Sequence, residues 1–207
     1  MSQTVIIDYG MGNVGSITNL LDRLGTPFRC SSEPAEILSA DRLILPGVGH
    51  FGEGMLNLGR RGLIAALNEA VMEKRIPILG ICLGMQLMTR HSEEGDADGL
   101  GWFDAVTRRF SFTEGSRIRV PHVGFNSVEV KKASLFKHCP PDPHFYFTHS
   151  YFVQARNPEQ VAGRTELGGL FDSAIETGNI FGVQFHPEKS HKSGLALMKA
   201  FCEMQAC

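Results

Sequence analysis

The sequence contains no apolar run near the roughly 18 residues that a membrane-crossing helix requires, so nothing in it reads as a bilayer span. Its amino terminus, MSQTVIIDYG, lacks a basic stretch and a small-residue cleavage site, and reads as a first strand in place of an export signal. Net charge is nearly absent: 20 Lys and Arg against 22 Asp and Glu give −2, which leaves no electrostatic case for nucleic acid or an anionic membrane as partner. Cysteine is scarce. Five residues (Cys30, Cys82, Cys139, Cys202 and Cys207), odd in number and without a C-x-x-C pair, argue against a disulfide framework and against a zinc site; they fit a reduced, cytoplasmic protein. Repeats, low-complexity tracts and linkers are missing too. A length of 207 residues with 43% hydrophobic content then suits one domain, 1–207, with a sizeable core.

What is present is an alternation of strand and helix signals. TVIIDY (4–9) is a β-rich run, and VGSITNLLDRLG (14–25) sets Val14, Ile17, Leu20, Leu21 and Leu24 at helical spacing with Gly25 as a stop. PFRC reads as a strand, AEILSA as a short helix, and RLILPGVG (42–49) as a strand entering a glycine loop. RRGLIAALNEAVMEK (60–74) reads as one amphipathic helix and IPILGI (76–81) as a buried strand. This order predicts an α/β fold: a mostly parallel, doubly wound sheet with helices on both faces, through about residue 91. After the polar loop HSEEGDADG, the short alternating runs VTRRFSF, SVEVKK, HFYFTHSYFVQA and LFDSAIETGNIFGVQF predict an antiparallel extension in the second half. GLALMKAFCEMQ (194–205) would be a closing helix.

Chemistry concentrates in three stretches. GICLG (80–84) has the form G-x-nucleophile-x-G at a predicted strand-to-helix turn. Gly80 and Gly84 would let neighbouring segments approach, the turn would lift Cys82 above the sheet, and the N-terminus of the next helix would favour its thiolate. The Leu83 amide would then be free for an oxyanion. By itself this stretch fits a buried structural cysteine equally well. GVQFHPEKS (182–190) supplies a base: His186 follows an apolar strand, and Glu188, two residues on, can orient its imidazole, which gives a Cys-His-Glu triad. LPGVG (45–49) ends another strand, and its glycines suit amides turned toward an oxyanion, although a plain glycine turn has the same pattern. A competing motif is GMGNVG, in which Gly10, Gly12 and Gly15 match a dinucleotide fingerprint after a strand. The acidic residue that fingerprint wants about 20 positions on is not in register, since PFRCSSE offers serines before Glu33. There is no Walker A lysine, and His186 and His191 are five apart, which is not the spacing of a helical zinc pair.

Together, LPGVG, GICLGMQLM and GVQFHPEKS resemble the class-I, triad-type glutamine amidotransferases. IIDYGMGNVGSI, PGVGHFGEGM, PHVGFN (121–126), FYFTHSYF (145–152) and NIFGVQFHPEKS narrow the resemblance to the glutaminase subunits of imidazole glycerol phosphate synthases, and it runs essentially end to end. The resemblance implies that Cys82 attacks the glutamine amide, His186 moves the proton and Glu188 orients His186. It implies an oxyanion site from Gly47, Val48, Gly49 and Leu83, and glutamine binding by Gln86, His149, Ser150 and Tyr151. It also implies a heterodimer with a (β/α)8 cyclase that receives ammonia through an internal channel in histidine biosynthesis, with Asn13, His122, Phe125 and Lys189 on the docking side. No cofactor or metal is implied. Two positions depart from the family pattern: Phe125 stands where tryptophan is usual, and Leu167 in TELG where tyrosine is usual. HPEKSHKSG also resembles a sister group that supplies ammonia for amination of a surface-polysaccharide sugar. A cysteine hydrolase without an ammonia partner is the alternative of another class.

Overall fold

The computed structural model describes residues 3–113 and 115–205; Cys207 lies outside them. In chain order the strands are β1 (Thr4–Ile7), β2 (Phe28–Ser31), β3 (Arg42–Leu45), β4 (Ile78–Ile81), β5 (His91–Ser92), β6 (Ala97–Asp98), β7 (Ala105–Arg109), β8 (His122–Ser127), β9 (Glu129–Val130), β10 (His144–His149), β11 (Tyr151–Ala155), β12 (Val161–Glu166), β13 (Leu170–Thr177) and β14 (Ile180–Val183). The helices are α1 (Val14–Arg23), α2 (Pro34–Leu38), α3 (Phe51–Arg60), α4 (Leu63–Asn68), α5 (Leu83–Leu87) and α6 (His191–Cys202). Five strands run parallel in the order β2-β1-β3-β4-β14, and the sheet continues antiparallel through β13, β11 and β7. β8 and β10 form a separate antiparallel ribbon. The mostly parallel sheet with an antiparallel second half is the architecture the sequence predicts.

Both faces of β1, β3, β4 and β14 are buried, β2 being the half-exposed edge, and alternation along each strand decides which residue goes where. Val5, Ile7, Leu43, Leu45 and Ile78 join one apolar cluster with Phe51 and Leu58 of α3, Leu63 and Leu67 of α4, and Met85 and Leu87 of α5. Ile6, Ile44, Leu79 and Ile81 join the other, with Ile17, Leu20 and Leu21 of α1 and Leu197, Met198 and Phe201 of α6. Each fully buried aliphatic or aromatic side chain contributes about 1.5–3 kcal/mol, so these two layers fix the sheet between its helices.

Two expectations are corrected. Residues 60–74 are not one helix: Gly62 takes the left-handed conformation (φ 66°), separating α3 from α4, and Glu69–Glu73 continues α4 as a wider π-helical turn. The closing helix starts at His191, three residues before the predicted position, because it follows directly on the short 3-10 turn Pro187–Lys189.

The parallel arrangement places the motifs. β3, β4 and β14 end side by side, with Leu45 opposite Gly80 and Ile81 opposite Val183. Residues 46–49, Cys82 and 184–186 therefore leave the sheet at the same edge, where ligands bind in open α/β sheets.

Candidate active site

Cys82 sits at the junction of β4 and α5. Its amide donates to Val183 O (2.8 Å) and its carbonyl accepts from Gln86 N (3.2 Å), so one residue ends a strand pairing and starts a helix. The cost is a backbone at φ 54°, ψ −110°, a region a non-glycine residue occupies at about 1–3 kcal/mol. The turn closes only because Gly84 has no side chain: a Cβ there would lie 1.9 Å from the Leu45 carbonyl oxygen. The expected helix dipole is a smaller effect than the sequence suggests, since α5 has only five residues.

His186 is fixed from two sides. Its amide donates to Tyr146 O (2.8 Å), and its carbonyl accepts from Ser190 Oγ (2.6 Å), which in turn accepts from Tyr146 N (2.9 Å). Phe185, stacked on Phe145 at 3.9 Å between centroids, seals the apolar side of the same segment. His186 Nδ1 and Glu188 Oε1 are 2.8 Å apart, with both side chains buried. Burial of the ring opposes its charged form. Interaction with Cys82 and the bond to Glu188 outweigh that and raise the His186 pKa to about 10. Nε2 is buried and makes no well-aligned hydrogen bond, although Cys82 is near enough to stabilise the charged ring. Such contacts commonly tighten when substrate arrives.

The raised pKa fixes a sign. Stability drawn from protonated His186 is fully present below the ordinary imidazole value of about 6.5 and is lost as pH rises through about 10. The deficit in melting temperature of His186→Ala relative to wild type should be largest near pH 6 and shrink toward pH 10. An equal deficit across that range would contradict the assignment.

A cavity of about 280 Å³ opens at this edge, lined by Val48, Gly49, Cys82, Leu83, Gln86, Glu94, Pro121, Thr148, His149, Ser150, Tyr151 and His186. Val48 and Gly49 of the expected oxyanion stretch line it directly. Gly47 lies beneath them, buried against the elbow: a Cβ there would meet Leu83 Cβ at 2.6 Å. Tyr9 anchors the base of this loop by donating to Pro46 O (2.7 Å), and burial together with the nearby Cys82 pushes its phenol well above the usual range.

The four expected substrate residues all line the cavity, but two have their donors engaged within the protein. Gln86 Nε2 donates to Tyr151 O and to Gln184 Oε1, both at 3.0 Å. His149 Nδ1 lies 2.7 Å from Tyr151 O, and its Nε2 lies 3.1 Å from His122 Nδ1. Burial pushes the His149 pKa down to about 3, helped by repulsion from His122 and His186. Burial also lowers that of His122.

Sequence reasoning misses two residues here. Gln184, fully buried, directs Nε2 toward Cys82 Sγ at 3.7 Å; the signal was a lone polar residue inside the apolar run GVQF. Glu94 brings a carboxylate to the cavity, held at one oxygen by the Phe51 amide (2.8 Å), from a loop that reads only as polar.

Of the expected docking residues, Phe125 is 51% exposed, and Val123 of the same motif is 59% exposed. Phe125 stacks on His191 and meets Tyr146 edge-on, and the Lys189 ammonium stands 5.6 Å over the Tyr146 ring. Asn13 spends its side chain capping α1, accepting from Ser16 N (3.4 Å). His122 is a correction. It is 6% exposed and stacked on Phe147, because alternation along β8 turns it inward while Val123 and Phe125 turn out.

The dinucleotide alternative fails on packing. A Cβ on Gly12 would come within 2.9 Å of Pro46, so this glycine serves contact with the 46–49 loop. β2 ends at buried Ser31, with no carboxylate in register for a ribose.

A model of the family "Glutamine amidotransferase class-I" matches residues 5–204. The chain is 46% identical to imidazole glycerol phosphate synthase subunit HisH 2 of Methanococcus maripaludis, over 95% of this chain and 96% of that one. It is 46% identical to subunit HisH of Moorella thermoacetica, over 99% and 96%. Among solved structures, a glutamine amidotransferase superposes with a TM-score of 0.74 at 19% identity, covering 95% of this chain and 98% of that one. Another, from Thermotoga maritima, gives 0.70 at 16%, covering 98% and 96%. At those identities the likeness concerns the fold.

Proposed function

Since the chain belongs to the class-I glutamine amidotransferases, we propose that it hydrolyses glutamine to glutamate and ammonia and hands the ammonia to a cyclase subunit of (β/α)8 architecture, as the glutaminase half of an imidazole glycerol phosphate synthase. The observation that carries the chemistry is the 2.8 Å contact of His186 with Glu188 beside a cysteine held at positive φ.

The Cys82 thiolate attacks the side-chain amide carbon of glutamine. Negative charge collects on the amide oxygen, where amides of Leu83 and of the 47–49 loop receive it. Protonated His186 gives its proton to the departing nitrogen, so ammonia leaves and a γ-glutamyl thioester remains. His186, now neutral, takes a proton from water; hydroxide attacks the thioester, glutamate leaves and the thiolate returns. Glu188 holds the ring and balances its charge. Nucleophile, base and amides suffice, so the chemistry requires no cofactor or metal. The Glu94 oxygen not held by Phe51 offers a partner for the substrate's α-ammonium group, which gives the cavity a reason to prefer an amino acid over a simple amide.

Ammonia in neutral water is mostly protonated and no longer nucleophilic, so a closed route to the acceptor is useful. The exposed Val123 and Phe125, next to Lys189 and Tyr146, are the surface we assign to the partner. Synthase subunits as relatives across nearly the whole chain support histidine biosynthesis over sugar amination as the destination. A cytoplasmic setting suits that pathway and a catalytic thiol.

The test measures glutamate release by the purified chain alone, with the cyclase, and with cyclase plus its nucleotide substrate. Release should be slow alone and rise about a hundredfold in the full complex, the scale of moving a site from about 1% to 99% competent. Equal rates in all three would remove the partner from the mechanism, and no glutamate in any of them would overturn the glutaminase reading.

A further inference from the structure

A buried polar chain behind the cavity has no part in the steps above. It runs from Tyr151 O through His149 and His122 to Asn126. Its hydrogens can be placed from either end. A carbonyl only accepts, so His149 Nδ1, 2.7 Å from Tyr151 O, carries the hydrogen. At the far end Asn126 is oriented independently: its Oδ1 accepts from Ser127 N (2.9 Å) and its Nδ2 donates to Glu166 O (2.9 Å). The atom it turns toward His122 Nε2, at 3.4 Å, is therefore the donor nitrogen. His122 Nε2 must accept, so its hydrogen sits on Nδ1, pointing at His149 Nε2 (3.1 Å). That nitrogen is the bare one in the tautomer already required at the other end. Both ends impose one direction and two neutral rings.

The surroundings leave few alternatives. Phe147 stacks on His122 at 4.7 Å, and Phe110 and Phe171 stand 5.3 and 5.4 Å from His149. Tyr151 O, the terminus of the chain, also accepts from Gln86, which bonds Gln184, whose amide nitrogen faces Cys82. We propose that His122 is a positioning residue for glutamine hydrolysis: by donating Nδ1–H to the buried Nε2 of His149 it holds that ring where its own Nδ1–H anchors the Tyr151 carbonyl, and so fixes the Ser150–Tyr151 wall and the Gln86–Gln184 pair beside the nucleophile. This deepens the functional reading above and rests on it. If His122 stops donating, His149 keeps its Nδ1 hydrogen for Tyr151 O, but its buried Nε2 is left an acceptor without a donor, so the ring gains by turning toward another donor or water. That movement draws Nδ1–H off the Tyr151 oxygen, and the wall is released.

Two variants separate the donor from the ring. His122→Phe keeps an aromatic plane on Phe147 and removes the donor. His122→Asn puts an amide hydrogen near the position of Nδ1. Ring-nitrogen NMR on the histidine-labelled full chain reads the tautomers, and glutamate release by the complex reads the consequence. In wild type His149 should be protonated at Nδ1 and bare at Nε2. His122→Phe should move the His149 Nε2 resonance to that of a ring nitrogen without a donor and raise the KM for glutamine about tenfold or more, with a smaller change in kcat; His122→Asn should recover most of both. Should His122→Phe not fold, Asn126→Ala, which frees His122 Nε2, should give the same shift in smaller measure. Unaltered His149 signals in His122→Phe, or in Asn126→Ala where His122→Phe does not fold, or an unaltered KM there, would overturn the proposal. A wild-type complex that releases no glutamate would instead overturn the functional reading, and the ring signals alone would still decide the relay.

Discussion

Cys82→Ala should remove glutamine hydrolysis from a chain that still folds and still leaves its partner able to use added ammonium. The loss should amount to several powers of ten in kcat, as for other nucleophiles that act as a unit with a base. No other cysteine can substitute among the described residues. Cys30 is exposed on β2, and burial raises Cys139 to about 11 and also raises Cys202, away from the thiolate that attack requires. The fold should survive because alanine keeps the same backbone at φ 54° and the same amide bonds to Val183 and Gln86. The check compares glutamine-dependent with ammonium-dependent turnover of the complex, beside a melting curve. A folded variant with near-normal glutamine turnover would remove Cys82 from the mechanism.

Glu188→Gln should cost less, about two to four powers of ten. The amide oxygen can still accept from His186 Nδ1, but the neutral group no longer balances an imidazolium buried beside it. Part of what raises the His186 pKa goes with that charge, so the alkaline limb of kcat/KM, set by His186 near 10 in wild type, should move to lower pH. A Glu188→Gln complex as inactive as Cys82→Ala would mean the carboxylate does more than orient and balance. An unmoved alkaline limb would mean that Glu188 does not govern the ring.

The reacting groups were legible because each depends on a local pattern. Apolar runs ending in glycine turns put Cys82 and His186 at strand ends, and the two-residue offset to Glu188 aligned the pair. The elbow glycines had readable causes in contacts such as Gly84 with Leu45. What was not legible depends on distant residues. Phe51–Arg60 carries Gly52, Gly54 and Gly59, so propensity argues against a helix there; packing selects it, with Gly54 seated on Leu87 and the Glu94 carboxylate on the Phe51 amide. His122 lies in a motif that reads as surface, and only the register of β8 with β10, which sets it opposite His149, shows that its ring turns inward. Gln86 and His149 likewise line the cavity as expected, yet Gln86 Nε2 and both His149 ring nitrogens are committed to internal bonds that no single-sequence pattern encodes.

The central claim is that catalysis passes through a covalent bond at one sulfur. The most direct measurement incubates the complex with glutamine, quenches it in acid during turnover, and maps the modified peptides by mass spectrometry. The expected result is a γ-glutamyl adduct on Cys82, absent from Cys30, Cys139 and Cys202 and lost in Cys82→Ala. Turnover with no adduct at Cys82, or with the adduct on another residue, would contradict it.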